Sequence, residues 1–184
     1  MIAESQSPVQ RNALASAIVT SGLAALLALA APHAVAQGNS WTSAPIVSAV
    51  RDATARYRNP AAAIADGYVA DPFCVSGSTG GGMGIHFVNA GLLDDTVDVN
   101  TPEVLVYEPL PSGKHRLVAA EYIAFADPPL ALEGHLLNLA GAPNRYGIPS
   151  PFLELHVWAW KQNPSGTFAD FNPNVSCDAQ QPVP

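Results

Sequence analysis

The sequence predicts an α+β domain, with N-terminal helices packed on an antiparallel sheet of about four or five strands and one disulfide. Three observations predict this class. The first apolar segments after residue 43 repeat with the helical period of about 3.6 residues. The later segments are short and rich in β-branched and aromatic residues, which is typical of strands. The chain also has two cysteines, and its 184 residues are the length of one domain.

Residues 1–36 predict a secretory signal peptide. An uncharged, Ala-rich run spans 13–31, and Ala34-Val35-Ala36 then supplies the small residues that a signal peptidase reads. The alternative is an uncleaved membrane anchor, because the run is about long enough to cross a bilayer. Its moderate hydrophobicity favours cleavage. We therefore expect residues 37–184 to form a single domain, secreted or periplasmic, with no stable membrane insertion after cleavage.

The predicted export indicates how Cys74 and Cys177 are used. In an oxidising compartment a lone pair of cysteines favours a disulfide. The loop that it would close has roughly a hundred residues, for which the chain-entropy model gives about 4 to 5 kcal/mol of stabilisation. A metal site with two thiolate ligands is the alternative, but the pair lacks the C-x-x-C spacing typical of such sites.

Two helices are predicted at the start of the domain. Pro45 stands in a first helical turn, where its missing N–H costs no hydrogen bond. Asn59-Pro60 repeats this start signal, and Gly67 suits the left-handed position after a helix end. The apolar stripe of the first helix contains Ile46, Val50, Ala53 and Tyr57.

Four strands are predicted after the helices, at 84–89, 103–110, 116–126 and 152–160. A Pro-Ser-Gly-Lys turn at 111–114 joins the second and third, which predicts an antiparallel hairpin. The stretches around the last strand are rich in Pro, Gly and Asn, so we expect them to be irregular.

Several function classes are excluded or disfavoured. A net charge of −7 argues against a nucleic-acid partner, because few cations are available to contact phosphates. The Gly/Ser loop at 75–82 lacks the Gly-Lys-Ser/Thr ending of a phosphate-binding loop. The chain has no G-x-S-x-G motif for an esterase nucleophile and no H-E-x-x-H motif for a zinc hydrolase.

Strand alternation places polar side chains among apolar ones. In the last strand, His156 shares a face with Glu154, Trp158 and Trp160. In the third strand, the apolar residues predicted to share the face of Glu121 are Leu117, Ala119, Ile123 and Phe125. A carboxylate among them must be paired, hydrogen-bonded, protonated or a ligand, because an isolated buried charge costs too much free energy.

Glu108 raises the same question on the second strand. The turn predicts three cross-strand pairs: Leu110 with His115, Glu108 with Leu117, and Glu121 with Val104. The two carboxylates would then lie about 13 Å apart along the strands. One metal ion cannot bind both, so Glu108 and Glu121 are alternative ligands.

Two kinds of site follow from these residues. The first is a metal site built from His86, His156, His135 and either Glu121 or Glu108, since imidazole and carboxylate ligands suit zinc, copper or iron. The second is an apolar ligand pocket lined by Trp158, Trp160 and Met83. The alternative for both is a structural core in which each histidine, glutamate and tryptophan is satisfied by its neighbours.

The motifs, taken in order, resemble those of a family of small secreted bacterial proteins without an assigned activity. The shared motifs are M-G-x-H at 83–86, P-E-x-L-x-Y-E-P at 102–109, E-Y at 121–122 and L-H-x-W-x-W-x-x-N-P-x-G-x-F at 155–168. The resemblance implies that the positions to study are Met83, Gly84, His86, Glu108, Glu121, His156, Trp158 and Asn163.

Three functions remain open from the sequence. An exported binding protein for a metal ion or a small apolar ligand is the first hypothesis, because histidines and tryptophans concentrate on the predicted strands. A metal-dependent enzyme with the same ligands and an acid or base such as Glu121 is the second. The third is a structural or interaction module without a site.

Overall fold

The computed structural model describes residues 41–180, apart from 43, 79, 143 and 145–147. The predicted signal peptide at 1–36 lies outside these residues. An antiparallel sheet, short N-terminal helices and one disulfide confirm the predicted class in outline. The sheet has six strands rather than four or five, and the helices are few and short. None of the helices in the described part of the chain is long and apolar enough to cross a membrane.

The helical layer begins where the prolines predict. Helix α1 is Pro45–Thr54, a 3₁₀ turn follows at Ala55–Arg58, and helix α2 is Pro60–Ala65. The Asn59 side chain accepts a hydrogen bond from the backbone N–H of Ala61 and so caps α2. Gly67 has a φ of 96° after the end of α2, as expected for the residue that terminates a helix.

The sheet has the strand order β1-β2-β3-β4-β8-β7, with each neighbouring pair antiparallel. Its strands are β1 (Val69–Ser76), β2 (Gly82–Val88), β3 (Val104–Pro109), β4 (His115–Ala124), β7 (Asn138–Ala140) and β8 (Phe152–Val157). The short strands β5 (Ala131–Leu132) and β6 (His135–Leu136) form a separate hairpin. The sequence did not predict four of these strands: β5 and β6 of the separate hairpin, and β1 and β7, which are the edges of the large sheet. Pro72 lies in β1, and proline is tolerated at an edge or a bulge.

The β3–β4 hairpin contains a bulge at Val118. Its cross-strand pairs are Pro109 with His115, Glu108 with Arg116, Tyr107 with Leu117, Val106 with Ala119, and Val104 with Glu121. The predicted pair of Glu121 with Val104 is confirmed. The predicted pairs of Leu110 with His115 and Glu108 with Leu117 are wrong, because the turn closes one residue earlier and Val118 is the extra residue.

Each side of the sheet packs against a different part of the chain. The helix face packs against α1 and α2 and includes Ile85, Phe87, Leu105, Tyr107, Leu117, Ala120, Tyr122, Leu155 and Val157. The opposite side, here called the tail face, packs against residues 161–180, here called the C-terminal segment. The tail face includes Val104, Val106, Val118, Ala119, Ile123, Phe152 and Trp158. Because of the bulge, Leu117 belongs to the helix face and not, as predicted, to the face of Glu121.

The predicted disulfide between Cys74 and Cys177 is confirmed, with a Cα–Cα distance of 5.6 Å. It ties β1 to the C-terminal segment. The same segment pairs with β2 through two backbone hydrogen bonds between Gly82 and Asn172, of 3.0 and 3.2 Å. The C-terminal segment is therefore fixed to the sheet near its β1 edge by both covalent and hydrogen-bonded contacts.

Substitution of Gly84 should show how closely β2 and β3 approach each other. Gly84 has a φ of 121°, and an alanine Cβ there would lie 2.6 Å from the carbonyl oxygen of Tyr107. Gly113 also has a positive φ, 75°, but its Cβ would meet no described atom within 4 Å. We expect Gly113→Ala to lower the free energy of unfolding by about 1–2 kcal/mol, from backbone strain alone. Gly84→Ala should lower the free energy of unfolding by at least about 3 kcal/mol, because a clash with the backbone adds to the strain.

Urea denaturation followed by tryptophan fluorescence measures both changes. Equal losses for Gly84→Ala and Gly113→Ala would contradict the close approach of β2 and β3.

Candidate functional site

Three buried ionisable side chains form a row across the tail face. His86 lies on β2, Glu121 on β4 and His156 on β8, and their exposed fractions are 0%, 0% and 2%. Glu121 is the direct cross-strand partner of His156. Its Oε2 atom lies 3.5 Å from Nε2 of His86. The structure therefore brings together three of the predicted metal ligands.

Strand β3 lies between the strands that carry His86 and Glu121. Val106 is the cross-strand partner of His86, and Val104 is the partner of Glu121. Both valines are fully buried on the tail face. The Glu121 side chain therefore reaches His86 across an apolar strand, in an environment where charge interactions are screened far less than in water.

The imidazole of His156 packs on a fixed aromatic ring. The centroids of the His156 and Trp158 rings are 4.6 Å apart, with 32° between their planes. The Trp158 indole N–H donates to the carbonyl oxygen of Ala169 at 2.6 Å, which fixes the indole against the C-terminal segment. The His156 ring therefore lies against an indole that is itself held in place.

The distance between His86 and Glu121 bears on what the row can bind. A charge-assisted hydrogen bond between these atoms is usually about 2.7–2.9 Å long. Two ligands of one tetrahedral ion at bond lengths near 2.1 Å are about 3.4 Å apart. The observed 3.5 Å is close to the second value. No three His, Cys, Asp or Glu side chains of the described residues are already arranged to hold a metal ion.

Comparison with family models, with curated proteins and with solved structures finds no match to this chain. The resemblance to the secreted bacterial family therefore stays a prediction.

The other predicted ligands lie elsewhere. His135 is on the β5–β6 hairpin, where its ring centroid is 4.5 Å from that of Phe168. Both carboxylate oxygens of Glu108 accept hydrogen bonds from Lys161 Nζ, at 2.7 and 2.8 Å. Glu108 also accepts from the backbone N–H of Ser176 at 3.3 Å. Glu108 is thus a structural tie between β3 and the C-terminal segment.

The residues predicted to line an apolar pocket are not brought together around one cavity. Trp158 packs on the tail face, whereas Trp160 packs against the clusters of the helix face. The Trp160 indole N–H donates to Thr54 Oγ1 at 2.9 Å. Alternation fails because β8 ends at Val157, before Trp160. Met83 is fully buried at the start of β2.

A surface groove of about 430 Å³ lies outside the row. It is lined in part by Ile85, Phe87, Leu110, Lys114 and His115. None of the three aligned side chains lines it, so the groove and the row are separate features. His115 is half-buried, and its ring centroid lies 6.0 Å from that of Phe87.

Sequence reasoning missed Glu103, a carboxyl group buried at the start of β3. It is 3% exposed and accepts a hydrogen bond from the backbone N–H of Ile123 at 2.9 Å. Burial raises its pKa to about 7, and the charges of Asp94 and Asp98 act in the same direction. A glutamate directly before an apolar strand was the available signal, but the pattern alone does not show on which side of the strand end it lies.

Glu103 should make folding stability fall as the pH rises. Below its ordinary pKa of 4.5, both the folded and the unfolded chain hold the proton. Between pH 4.5 and about 7 the unfolded chain loses this proton while the folded chain keeps it, so the free energy of unfolding falls as the pH rises. Above about pH 7 both states have lost the proton, and the fall is complete. In wild type this fall in the free energy of unfolding should reach up to about 3 kcal/mol between pH 4.5 and 8, and we expect Glu103→Gln to abolish it.

Urea denaturation at several pH values, with wild type and Glu103→Gln side by side, measures this difference. A variant with the same pH dependence as wild type would contradict the raised pKa.

Proposed function

We propose that this protein binds one transition-metal ion on the tail face, through His86 and Glu121, with His156 as the third ligand. The observation that carries the proposal is the 3.5 Å separation of His86 Nε2 and Glu121 Oε2 inside an apolar cluster. This spacing suits two ligands of one ion, and an ion between them would balance the carboxylate charge. Zinc, copper and iron(II) all accept such ligands.

The third ligand requires a local change. The register places His156 directly beside Glu121, so that their Cβ atoms are about 4.5–5.5 Å apart. The His156 ring now stacks on Trp158. In the proposed metal-bound form the imidazole turns off the indole towards Glu121, with no change in the β4–β8 pairing. Metal binding should therefore end this stacking and change the fluorescence of Trp158.

Burial favours binding over catalysis. A catalytic metal keeps a coordination position open to water or substrate. Each of the three residues of the row is at most 2% exposed, so no open position reaches the surface in this conformation. The metal-dependent enzyme would need the cover of the tail face to open during each turnover. We therefore propose a metal-binding protein and, with the predicted signal peptide, one that works outside the cytoplasm.

Metal analysis of the untagged protein tests the proposal. Elemental analysis should find about one transition-metal ion per chain, or the metal-free protein should bind zinc, copper or iron(II) with a rise in melting temperature. Glu121→Gln keeps the side-chain shape and removes one charged ligand. We expect it to weaken metal affinity at least about tenfold.

Glu108→Gln is the matched control, because Glu108 is also a buried carboxylate on the sheet but contacts Lys161. It should lower stability and leave metal affinity unchanged. Absence of bound metal, together with an unchanged melting temperature for all three ions, would overturn the proposal. Equal loss of affinity in the two variants would remove the assignment of Glu121 as a ligand.

A further inference from the structure

We infer that residues 172–180 form a closure over the site and that the Cys74–Cys177 disulfide keeps it shut, so that reduction of this disulfide admits the metal ion. The inference rests on the proposed function, since it concerns access to the same site. It assigns a role to the disulfide beyond stabilising the fold.

The closure packs on the apolar cluster that includes the strand between the first two ligands. Val175 is 1% exposed and packs in the same cluster as Val104 and Val106. These valines are the cross-strand partners of Glu121 and His86. Val175 thus belongs to the apolar packing on this side of β3, and we infer that an ion reaches His86 and Glu121 from this side only when that packing opens.

Noncovalent contacts hold residues 172–180 at several points. Backbone hydrogen bonds join Asn172 to Gly82, and the Ser176 N–H donates to Glu108. The Gln180 side chain accepts from the N–H of Cys74 and donates to the carbonyl oxygen of Pro72, both at 2.6 Å. The Asn172 and Asn174 side chains donate to the carbonyl oxygen of Gln162, at 3.2 and 3.5 Å. These bonds can open and re-form, whereas the disulfide prevents Cys177 from leaving β1 at all.

The segment before the closure is held independently of the disulfide. Lys161 pairs with Glu108, and its backbone N–H donates to the carbonyl oxygen of Val118 at 3.2 Å. The Trp158 indole is bonded to Ala169. Opening would therefore begin after these anchors and leave the β4–β8 pairing intact.

Cys74 and Cys177 are half-buried residues, and we expect a small dithiol to reach the disulfide between them. A thiolate of the dithiol attacks one sulfur, and the other cysteine leaves as a thiolate that takes a proton from water. The second thiol of the reagent then displaces the first cysteine from the mixed disulfide. The protein gains two electrons and two protons as Cys74 and Cys177 thiols, and the dithiol is oxidised to its own disulfide.

Histidine reactivity tests the closure without any metal. Metal-free protein is treated with diethyl pyrocarbonate, oxidised or after reduction with dithiothreitol and removal of the reductant, and modification of each histidine is followed by mass spectrometry. Reduction should speed modification of His86 and His156 at least about tenfold, because the opened state becomes populated. His135, on the β5–β6 hairpin, is the internal control and should not change. Circular dichroism confirms that the reduced protein stays folded.

A second variant avoids new thiol ligands. The double substitution Cys74→Ser and Cys177→Ser removes the disulfide and leaves no thiolate to bind zinc. It should take up zinc at least about tenfold faster than the oxidised wild type, as followed by competition with a chromogenic chelator. If the double variant does not fold, Val175→Ala with the disulfide intact should still speed modification of His86, because the side chain over β3 is shortened.

The outcomes separate the two proposals. Faster histidine modification without zinc uptake in any state supports the closure and overturns the proposed metal function. Zinc uptake at one rate in both states, with His86 and His156 equally protected, supports the metal function and overturns the closure. Faster modification of His135 to the same degree as His86 would indicate general loosening and would also overturn the closure.

Discussion

One extra residue in β4 decides which side of the sheet Glu121 faces. Leu117 lies on the helix face, and plain alternation from there would put Glu121 on that face as well. The bulge at Val118 reverses the alternation, so Glu121 lies on the tail face beside His156. The Val118 carbonyl accepts hydrogen bonds from the backbone N–H groups of Trp160 and Lys161, which stabilise the bulge. The row of His86, Glu121 and His156 depends on this irregularity.

Three of the buried carboxylates of this acidic chain are accommodated in different ways. Glu108 pairs with Lys161, whose Nζ contacts both carboxylate oxygens. Glu103 accepts a backbone hydrogen bond, and its burial raises its pKa to about 7, so near neutrality it is partly protonated. Glu121 faces His86, a residue that can donate a proton or share a metal ion. Each arrangement lowers the cost of a buried charge by a different route, and only that of Glu121 suits a metal ligand.

Much of the site could be predicted because polar residues in apolar strands are visible in the sequence. His86, Glu121 and His156 stand out as such residues, and the structure places them in one row. Glu108 has the same sequence signature, but it pairs with Lys161, which is 53 residues away in the chain. Trp160 was misplaced because β8 ends before it, and a strand end is poorly marked in a run of aromatic and aliphatic residues.

The sequence by itself determined the features that depend on local chemistry or on simple counting. Prolines mark both helix starts, a Pro-Ser-Gly-Lys turn defines the hairpin, and two cysteines allow only one intramolecular disulfide. Only the tertiary structure decided the six-strand width, the bulge at Val118 and the sides on which Leu117 and Trp160 pack. These features depend on hydrogen-bond register between distant segments, and a single inserted residue moves every later side chain to the other face.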